Sequence, residues 1–277
     1  MTCRRGRNLN PDMARALFIH RGALGDLVLF FPLLTRAASL GMTQRILVTS
    51  SSHGRLCLHL GLCEVVLDYE NGLGYGLCAC QEAAWIGYVE RFGVPKRVVA
   101  ALSDQEETFY RFMRSRVEGD VRVFFPRPDA AFKGHVADYM WQRAGMTMEA
   151  IPESCDLWKQ GKTFLLHPGS GSSKKNYPPE LFLALRQRWG QDRSAFLLGP
   201  IEREAAFPWS APTIEPKNLV ELAEELKKSA GLISHDSGVA HLSAWLGVPT
   251  VAFHKTTDPA IWGVRGKRAV AFSATSY

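Results

Sequence analysis

At 277 residues, the chain can bury a sizeable core and is long enough for one large domain or two ordinary ones. Its 46% hydrophobic and 22% charged residues are typical of a globular protein, and the net charge of +6 favours an anionic partner. No basic tract interleaved with aromatics stands out, so a nucleic-acid groove is not indicated. Anionic small molecules or a negative membrane surface fit the charge better.

The cysteines and the start of the chain bear on the cellular compartment. None of the six cysteines belongs to a CxxC pair, so zinc spacing is absent and reduced thiols in a cytoplasm are expected. The basic start, residues 1–10, is not followed directly by the apolar stretch of a signal peptide. The most apolar stretch, residues 16–34, contains Arg21, Asp26 and Pro32, which argues against a membrane span. We therefore expect a cytoplasmic protein.

The first half alternates between short apolar runs and longer periodic segments, which is typical of a doubly wound parallel sheet. Strands are predicted at 16–20, 45–49, 64–68 and 97–102, and helices at 54–60, 82–92, 105–117 and 134–145. A helix following the first strand is predicted over 27–41, with Pro32 in its first turns, where proline is tolerated. Residues 71–81 are predicted to form a loose loop.

A second alternating set follows residues 146–162, which show little periodicity and are predicted to be a linker. Strands are predicted at 163–167, 194–198, 230–234 and 250–253, and helices at 179–189, 218–229 and 239–246. The chain therefore predicts two α/β domains with parallel sheets, over residues 14–150 and 160–277, facing each other across a cleft.

Polar residues gather in turns that follow strands and precede helices, where open parallel sheets bind ligands. These turns are Gly25-Asp26, residues 167–175, residues 199–202 and Asp236-Ser237-Gly238. The unpaired N–H groups and the dipole at a helix start attract phosphate, and a glycine lets the backbone approach the ligand. Asp236 and Ser237 also suit an ordinary capped helix, so this turn alone leaves both interpretations open.

The turn at residues 167–175 offers small residues, three hydroxyl groups and the ammonium groups of Lys174 and Lys175. Lysine supplies a point charge for phosphate, although the GxxxxGK[ST] pattern of a Walker loop is missing. By itself the turn could equally be a flexible solvated loop.

Single residues in the other turns also have two interpretations. Asp26 follows a glycine and precedes an apolar helix, so it suits a helix cap as well as a general base. Glu202 could be a surface carboxylate or a ligand of a ribose. His241 could be a core histidine or a contact to a bound anion. Their joint order along the chain is more specific than any one of them.

In that order, the residues resemble glycosyltransferase family 9, the bacterial ADP-heptose:lipopolysaccharide heptosyltransferases. The similar pieces are Gly25-Asp26 through Pro32, His167-Pro168-Gly169-Ser170-Gly171 with Lys174-Lys175-Asn176-Tyr177-Pro178, Gly199-Pro200 with Glu202, Asp236-Ser237-Gly238 with His241, and Gly247-Val248-Pro249 leading to Thr257-Asp258-Pro259 and Trp262. The resemblance implies a GT-B fold of two Rossmann-like domains, with the acceptor mostly on the first and the nucleotide sugar mostly on the second.

The resemblance also implies roles for these residues in an inverting, metal-independent sugar transfer. Asp26 would be the general base, and Lys175 would meet the negative charge that develops on the diphosphate. Glu202 would bind the ribose. The implied substrate-binding set is Gly25, Ser170, Lys174, Glu202, Asp236, Ser237, Gly238 and His241.

The partners implied are a nucleotide-diphosphate sugar such as ADP-heptose, which is a substrate rather than a cofactor, and an anionic lipid-linked saccharide of the lipopolysaccharide core. Transient contact with the inner membrane surface would suit the basic charge. In two places the chain departs from the family: Lys255-Thr256 stands where Gly-Pro is usual, and Tyr177 replaces the commoner tryptophan. Residues 71–127 match the family poorly.

Two other functions remain open at this point. A non-catalytic relative could keep the nucleotide pocket, although the presence of both Asp26 and Lys175 argues against it. A nucleotide-sugar epimerase of the UDP-GlcNAc 2-epimerase type would share the fold, but it calls for further carboxylates and histidines that the sequence does not place.

Overall fold

The computed structural model describes residues 14–146, 155, 157–200, 202 and 212–273, without the side chain of Trp189. The basic start and much of the predicted linker lie outside the described residues. By its internal contacts, the chain divides into two units, each built on a parallel sheet. The stretches Gly22–Leu29 and Ala131–Ala137 group with the second unit. The prediction of two parallel-sheet α/β domains is confirmed.

The sheet of the first unit lies in the middle of its helices. Its strands are β1 (Arg15–His20), β2 (Gln44–Thr49), β3 (Val65–Asp68), β4 (Arg97–Ala101) and β5 (Asp120–Phe124). The helices in this part of the chain are α1 (Leu24–Ser39), α2 (Ser51–His59), α3 (Gly72–Cys78), α4 (Glu82–Phe92), α5 (Thr108–Arg114) and α6 (Val136–Arg143). The strands are parallel in the order β3-β2-β1-β4-β5, and β1 is buried along its whole length.

The first helix starts earlier than predicted. α1 begins at Leu24, and Pro32 lies inside it rather than in its first turns. A proline in a helix interior removes a backbone hydrogen bond and crowds the preceding turn, at a cost of about 3 kcal/mol. Residues 27–34 are buried, so the burial of these large apolar side chains offsets that cost.

The predicted loop at residues 71–81 is wrong, because α3 forms there. Glycine has a low helix propensity, so the glycines of α3 argued against a helix in the sequence. The structure shows that they are needed for close packing. A Cβ atom on Gly74 would lie 2.2 Å from the carbonyl oxygen of Asp68, and one on Gly76 would lie 2.5 Å from Ala84 Cβ. Helix α5 is shorter than predicted at both ends, and the Asp104 carboxylate accepts hydrogen bonds from the Phe109 and Tyr110 amides in its first turn.

The sheet of the second unit carries most of the polar turns at its carboxyl edge. Its strands are β6 (Phe164–His167), β7 (Ser194–Leu197), β8 (Thr213–Ile214), β9 (Gly231–His235), β10 (Thr250–His254) and β11 (Ala269–Ser273). Its described helices are α7 (Glu180–Trp189), α8 (Leu219–Lys227), α9 (Gly238–Trp245) and α10 (Pro259–Trp262). The strands are parallel in the order β11-β10-β9-β6-β7-β8. The sequence did not predict β5, β8, β11 or α10.

The described part of the predicted linker runs along the second unit. The amide of Cys155 donates to the carbonyl of Trp245, and the amide of Gly161 donates to that of Ser229. None of the described helices is long and apolar enough to cross a membrane.

Candidate active site

The polar turns of the second unit come from neighbouring strands. In the order β10-β9-β6-β7, the segments after these strands lie side by side at the carboxyl edge of the sheet. The chain enters helix α9 directly from β9, and the Ser237 hydroxyl caps the helix by accepting a hydrogen bond from the Ala240 amide at 3.2 Å. A second hydroxyl, that of Ser234, lies 3.0 Å from the Ser237 hydroxyl. The start of α9 is therefore held rigidly at the site.

Asp236 is the centre of a buried polar cluster. Its Oδ2 accepts hydrogen bonds from Lys175 Nζ and Thr257 Oγ1, each at 2.7 Å, and its Oδ1 lies 3.8 Å from His241 Nε2. His254 Nδ1 lies 3.9 Å from Oδ2. Burial alone would raise the pKa of this carboxyl group, but the His241, Lys175 and Thr257 side chains lower it well below its usual value. Asp236 is therefore an ionised carboxylate held by cationic and hydroxyl donors.

Lys175 reaches Asp236 from the turn that follows β6. The turn contains a 3-10 helix over Ser173–Lys175. The Ser170 hydroxyl lies 2.6 Å from Asn176 Oδ1 and 2.8 Å from the Ser172 carbonyl oxygen, so it stabilises the turn internally. Lys174 is exposed and makes no hydrogen bond or ion pair with any residue that the structure describes.

The end of this turn is fixed to β9 and β10 by an aromatic ring and a lysine. The Tyr177 amide donates to His235 Nε2 at 2.9 Å, and the two rings stack with centroids 5.8 Å apart. The Tyr177 hydroxyl donates to the His254 carbonyl at 3.2 Å. Lys255 Nζ donates to the Asn176 carbonyl at 3.0 Å and lies 5.8 Å from the Tyr177 ring centroid. Burial lowers the pKa of His235 to about 4, so its ring is a neutral acceptor for the Tyr177 amide.

Glu202 belongs to the turn that follows β7 and lies against Gly169 in the turn that follows β6. Its Oε2 accepts a hydrogen bond from the Gly199 amide at 2.7 Å, and the residue is buried. A Cβ atom on Gly169 would lie 1.6 Å from Glu202 Oε1, so only a glycine at 169 leaves room for this carboxylate. Burial also lowers the pKa of the neighbouring His167, which keeps that ring neutral beside Glu202.

Gly25 and Asp26 lie in the first turn of α1, within the stretch that groups with the second unit. A Cβ atom on Gly238 would lie 2.9 Å from the Gly25 amide nitrogen, and one on Gly25 would lie 3.4 Å from His241 Cδ2. The start of α1 thus packs directly against the start of α9, and this close approach requires glycine at 238. Asp26 is half-buried at this contact.

The structure therefore brings most of the predicted site residues together in two groups. One group holds Asp236, Lys175 and His241, with Gly25 and Gly238 packed beside it. The other holds Glu202 against Gly169 and Gly199. No set of three or more His, Cys, Asp or Glu side chains able to hold a metal ion occurs among the described residues.

The sequence interpretation missed Thr257 as a site residue, although the Thr257-Asp258-Pro259 tripeptide was part of the resemblance. Its position after β10, beside β9, was the available signal, because the ends of adjacent parallel strands meet. The roles of Lys255 and Tyr177 in holding the lysine turn depend on contacts between distant parts of the chain, and no local pattern predicts them.

The model of glycosyltransferase family 9 (heptosyltransferase) matches residues 117–277, more than half of the chain. The chain belongs to glycosyltransferase family 9. This family 9 glycosyltransferase has the GT-B type of fold, since its solved structural neighbours are transferases of that type. No protein of curated function matches its sequence.

Three solved structures show how far the likeness of this family 9 glycosyltransferase extends. The family 9 glycosyltransferase from Veillonella parvula DSM 2008 is 18% identical with a TM-score of 0.73, over 95% of this chain and 87% of that one. E. coli heptosyltransferase WaaC with ADP is 17% identical with a TM-score of 0.66, over 94% and 93% of the two chains. E. coli ADP-heptose lps heptosyltransferase II is 14% identical with a TM-score of 0.58, over 93% and 90%. At these identities, the likeness establishes a shared fold.

Proposed function

We propose that this protein transfers heptose from ADP-heptose to a saccharide acceptor, with inversion at the anomeric carbon. The observation that carries the proposal is the Lys175–Asp236 pair, which fastens the lysine turn beside the capped start of α9. Membership of a heptosyltransferase family supports the class of reaction. The WaaC structures with ADP and with ADP-2-deoxy-2-fluoro heptose support the choice of donor by analogy.

In the proposed complex, the diphosphate lies between the lysine turn and the start of α9. The amides of Ser237 and Gly238 and the positive end of the helix dipole would attract its oxygens. Lys175 is one-third exposed, and an ammonium group has three donors, so it can bind the diphosphate while it keeps its bond to Asp236. Lys174 would add a more distant point charge, and the Ser170 hydroxyl would hold the shape of the turn. His241 and Asp236 would line the donor sugar.

Glu202 would accept hydrogen bonds from the ribose hydroxyls. Its Oε2 accepts a hydrogen bond from the Gly199 amide and the residue is buried, so the carboxylate has a fixed orientation. This is the geometry expected of a group that selects a diol rather than of a mobile surface carboxylate.

Asp26 would act as the general base. The acceptor hydroxyl oxygen attacks the anomeric carbon of heptose while the bond from that carbon to the diphosphate oxygen breaks. The hydroxyl proton moves to the Asp26 carboxylate, and the bonding electrons leave with ADP. Attack on the face opposite the leaving group inverts the configuration. Lys175 and the amides at the start of α9 meet the charge that develops on the diphosphate, so we propose that transfer needs no metal ion and persists in EDTA.

The acceptor in this proposal is an anionic, lipid-linked saccharide of the lipopolysaccharide core. The net charge of +6 favours such a partner and transient contact with the inner surface of the cytoplasmic membrane. The name of heptosyltransferase II supports the same acceptor class by analogy.

A donor screen tests the proposal. Thermal unfolding is followed with ADP, ADP-heptose, and UDP- and GDP-sugars, each at the same concentration. A ligand at 100 times its Kd should stabilise the folded protein by about 2.7 kcal/mol, so ADP-heptose and ADP should raise the Tm and the UDP- and GDP-sugars should not. A preference for UDP- or GDP-sugars would contradict the proposed donor.

Incubation of the protein with ADP-heptose alone and then with a core saccharide separates the remaining functions. The proposal predicts heptosylated acceptor and free ADP only when both substrates are present. Conversion of the donor without acceptor would indicate an epimerase, and donor binding without any product would indicate a non-catalytic relative.

A further inference from the structure

The imidazole ring of His254 has no role in the chemistry proposed above, although it lies behind the active-site cluster. His254 is the last residue of β10, and its side chain is fully buried. Its Nδ1 lies 2.9 Å from Thr257 Oγ1, and its Nε2 is buried without a hydrogen-bond partner among the described residues. Lys255-Thr256, the two residues at which the chain departs from the family pattern, lie between His254 and Thr257.

The hydrogen bonds of Thr257 determine which atom carries each proton. Asp236 is ionised, so its Oδ2 can only accept, and the Thr257 hydroxyl donates to it at 2.7 Å. A hydroxyl group has one proton, so the same Oγ1 accepts a hydrogen bond from His254 Nδ1. His254 Nδ1 lies 3.9 Å from Asp236 Oδ2, which is too far for a direct hydrogen bond. The ring therefore acts on the carboxylate through Thr257.

The His254 ring is neutral in this arrangement. Burial lowers its pKa, the Asp236 carboxylate raises it, and His241 and Lys175 lower it, so that the net shift is downward. A second proton, on Nε2, would be buried without an acceptor among the residues that the structure describes. His254 therefore carries its one ring proton on Nδ1 and donates it to Thr257.

Asp236 Oδ2 joins this chain of hydrogen bonds to Lys175. The oxygen accepts from Thr257 Oγ1 and from Lys175 Nζ, each at 2.7 Å. Two donors on one oxygen restrict rotation of the carboxylate group, whose other oxygen lies 3.8 Å from His241 Nε2. Without the Thr257 hydroxyl, the carboxylate is freer to turn, and the ammonium group bound to it loses its defined position.

We propose that His254 and Thr257 are positioning residues, which act through Asp236 to hold Lys175 where it binds the donor diphosphate. This inference rests on the proposed function, in which Lys175 meets the charge on that diphosphate. A binding group keeps its geometry when hydrogen bonds from behind the site hold it. An ammonium group has three donors, so the bond to Asp236 orients Lys175 and leaves donors for phosphate oxygens.

Nitrogen-15 NMR of protein labelled at its histidine rings measures the position of the His254 proton directly. The signals that are missing from His254→Asn identify His254. We expect a neutral ring with its proton on Nδ1 at neutral pH. The signal of that proton should shift when Thr257→Val removes its acceptor. A proton on Nε2 in the unchanged protein, or no shift in Thr257→Val, would refute the chain of hydrogen bonds.

A double-mutant cycle on ADP binding tests whether the chain acts through Lys175. Thr257→Val keeps the shape of the side chain and removes the hydroxyl group. The Kd for ADP should rise about tenfold, as for the loss of one hydrogen bond to a charged group. In a Lys175→Met background, the same change should have no further effect, because the group that it positions is gone. Equal losses in the two backgrounds would indicate a merely structural role and would overturn the proposal.

Thr256→Val is the matched control, because Thr256 is the exposed neighbouring threonine and makes no hydrogen bond with any residue that the structure describes. It should bind ADP like the unchanged protein and leave the His254 proton signal in place. An effect as large as that of Thr257→Val would contradict the proposal.

Two variants of His254 give a second test, which also serves if Thr257→Val does not fold. His254→Asn keeps an N–H donor near the position of Nδ1 and should retain ADP binding, whereas His254→Leu should weaken it as Thr257→Val does. Equal Kd values for these two variants would contradict the proposal. Absence of ADP binding by the unchanged protein would overturn the proposed function and this inference together. Normal ADP binding with equal losses in both Lys175 backgrounds, or with the ring proton on Nε2, would overturn this inference alone.

Discussion

Strands β9 and β1 lie in the interiors of the two sheets. The polar side chain after β9 is charged and hydrogen-bonded, whereas the one at the end of β1 is neutral and has no hydrogen-bond partner among the described residues. After β9, the Asp236 carboxylate is buried with bonds from Lys175 and Thr257. At the end of β1, the His20 ring is fully buried, and neither ring nitrogen has a hydrogen-bond partner among the described residues. Burial, together with the nearby His53, lowers the pKa of His20 to about 3.

The comparison shows when a buried titratable side chain stays charged and when it stays neutral. A buried charge persists only when donors compensate its lost hydration, as they do at Asp236. His20 instead remains neutral, with its ring 5.2 Å from that of Phe30. The second sheet therefore has a charged, fixed cluster at its edge, where the proposed diphosphate would bind, and the first sheet has a neutral buried imidazole at the equivalent place.

The largest expected effect follows from removing the Asp236 carboxylate, the charged group in this comparison. Asp236→Ala removes the acceptor for Lys175 and Thr257 and leaves a lysine beside a buried space. We expect the second unit to lose about 2–3 kcal/mol of stability, which is less than for a fully buried pair because Lys175 is one-third exposed. Hydrogen-exchange mass spectrometry reads the two units separately. Equal loss of protection in β1 and β9 would contradict a local role for Asp236.

The next test asks whether the cluster binds the donor or only stabilises the fold. Lys175→Met removes a charge-assisted hydrogen bond, so ADP affinity should fall about 10- to 100-fold in a calorimetric titration. Lys174→Met is the matched variant from the same turn, and its exposed charge should contribute threefold or less by roughly the strength of a surface ion pair. If both variants weakened binding equally, Lys175 would have no special place in the site.

A pH series tests the neutral side of the comparison. The pKa of His20 is lower in the folded protein than its usual value of 6.5, so the unfolded chain binds the proton first. The stability of the first unit should therefore be full above about pH 6.5 and decline towards pH 3, by about 1.4 kcal/mol per pH unit from this group. His20→Phe keeps an aromatic ring against Phe30 and removes the proton site. Relative to the unchanged protein, it should gain about 2 kcal/mol between pH 7 and pH 5. Parallel pH curves for hydrogen exchange in β1 would disprove this account of His20.

The smallest expected losses of stability come from removing two serine side chains, each of which caps a helix directly after a strand. Ser237 is buried and caps α9 at 3.2 Å, whereas Ser50 caps α2 through a longer 3.4 Å bond to the His53 amide. Ser237→Ala should cost about 1–2 kcal/mol and Ser50→Ala about 0.5 kcal/mol. Protection of the first amides in each helix measures both. A larger loss of protection at the start of α2 than at the start of α9 would contradict the expectation that Ser237 is the stronger cap.

Local pattern was enough to predict the parallel-sheet fold and the positions of the polar turns, because apolar runs and helix starts are local signals. It placed Asp236-Ser237-Gly238 at the start of a helix, where the structure has α9. It failed at α3, whose glycines are explained only by close packing against the Asp68 carbonyl and Ala84. It also failed for the position of Pro32 in α1. Burial of the apolar side chains around Pro32, which depends on distant parts of the chain, outweighs the low helix propensity of proline.

Within the site, the sequence predicted residues but not their bonds. Lys175 and Asp236 were both predicted, yet their direct pairing depends on β6 and β9 being neighbours in the sheet. Lys255 bonds to the carbonyl of Asn176, 79 residues earlier, so no local spacing could have revealed that contact. Thr257 was open to prediction only through its position after β10, beside β9. The roles assigned to Asp26 and Glu202 remain predictions until kinetics are measured.

Donor binding and sugar transfer, measured together in Asp26→Asn, give the most direct test of the proposed chemistry. The variant keeps the size of the side chain and removes the base, so transfer should fall by about 10²–10⁴-fold while the Kd for ADP stays unchanged. Transfer close to that of the unchanged protein would contradict the account, and so would parallel losses of transfer and ADP binding.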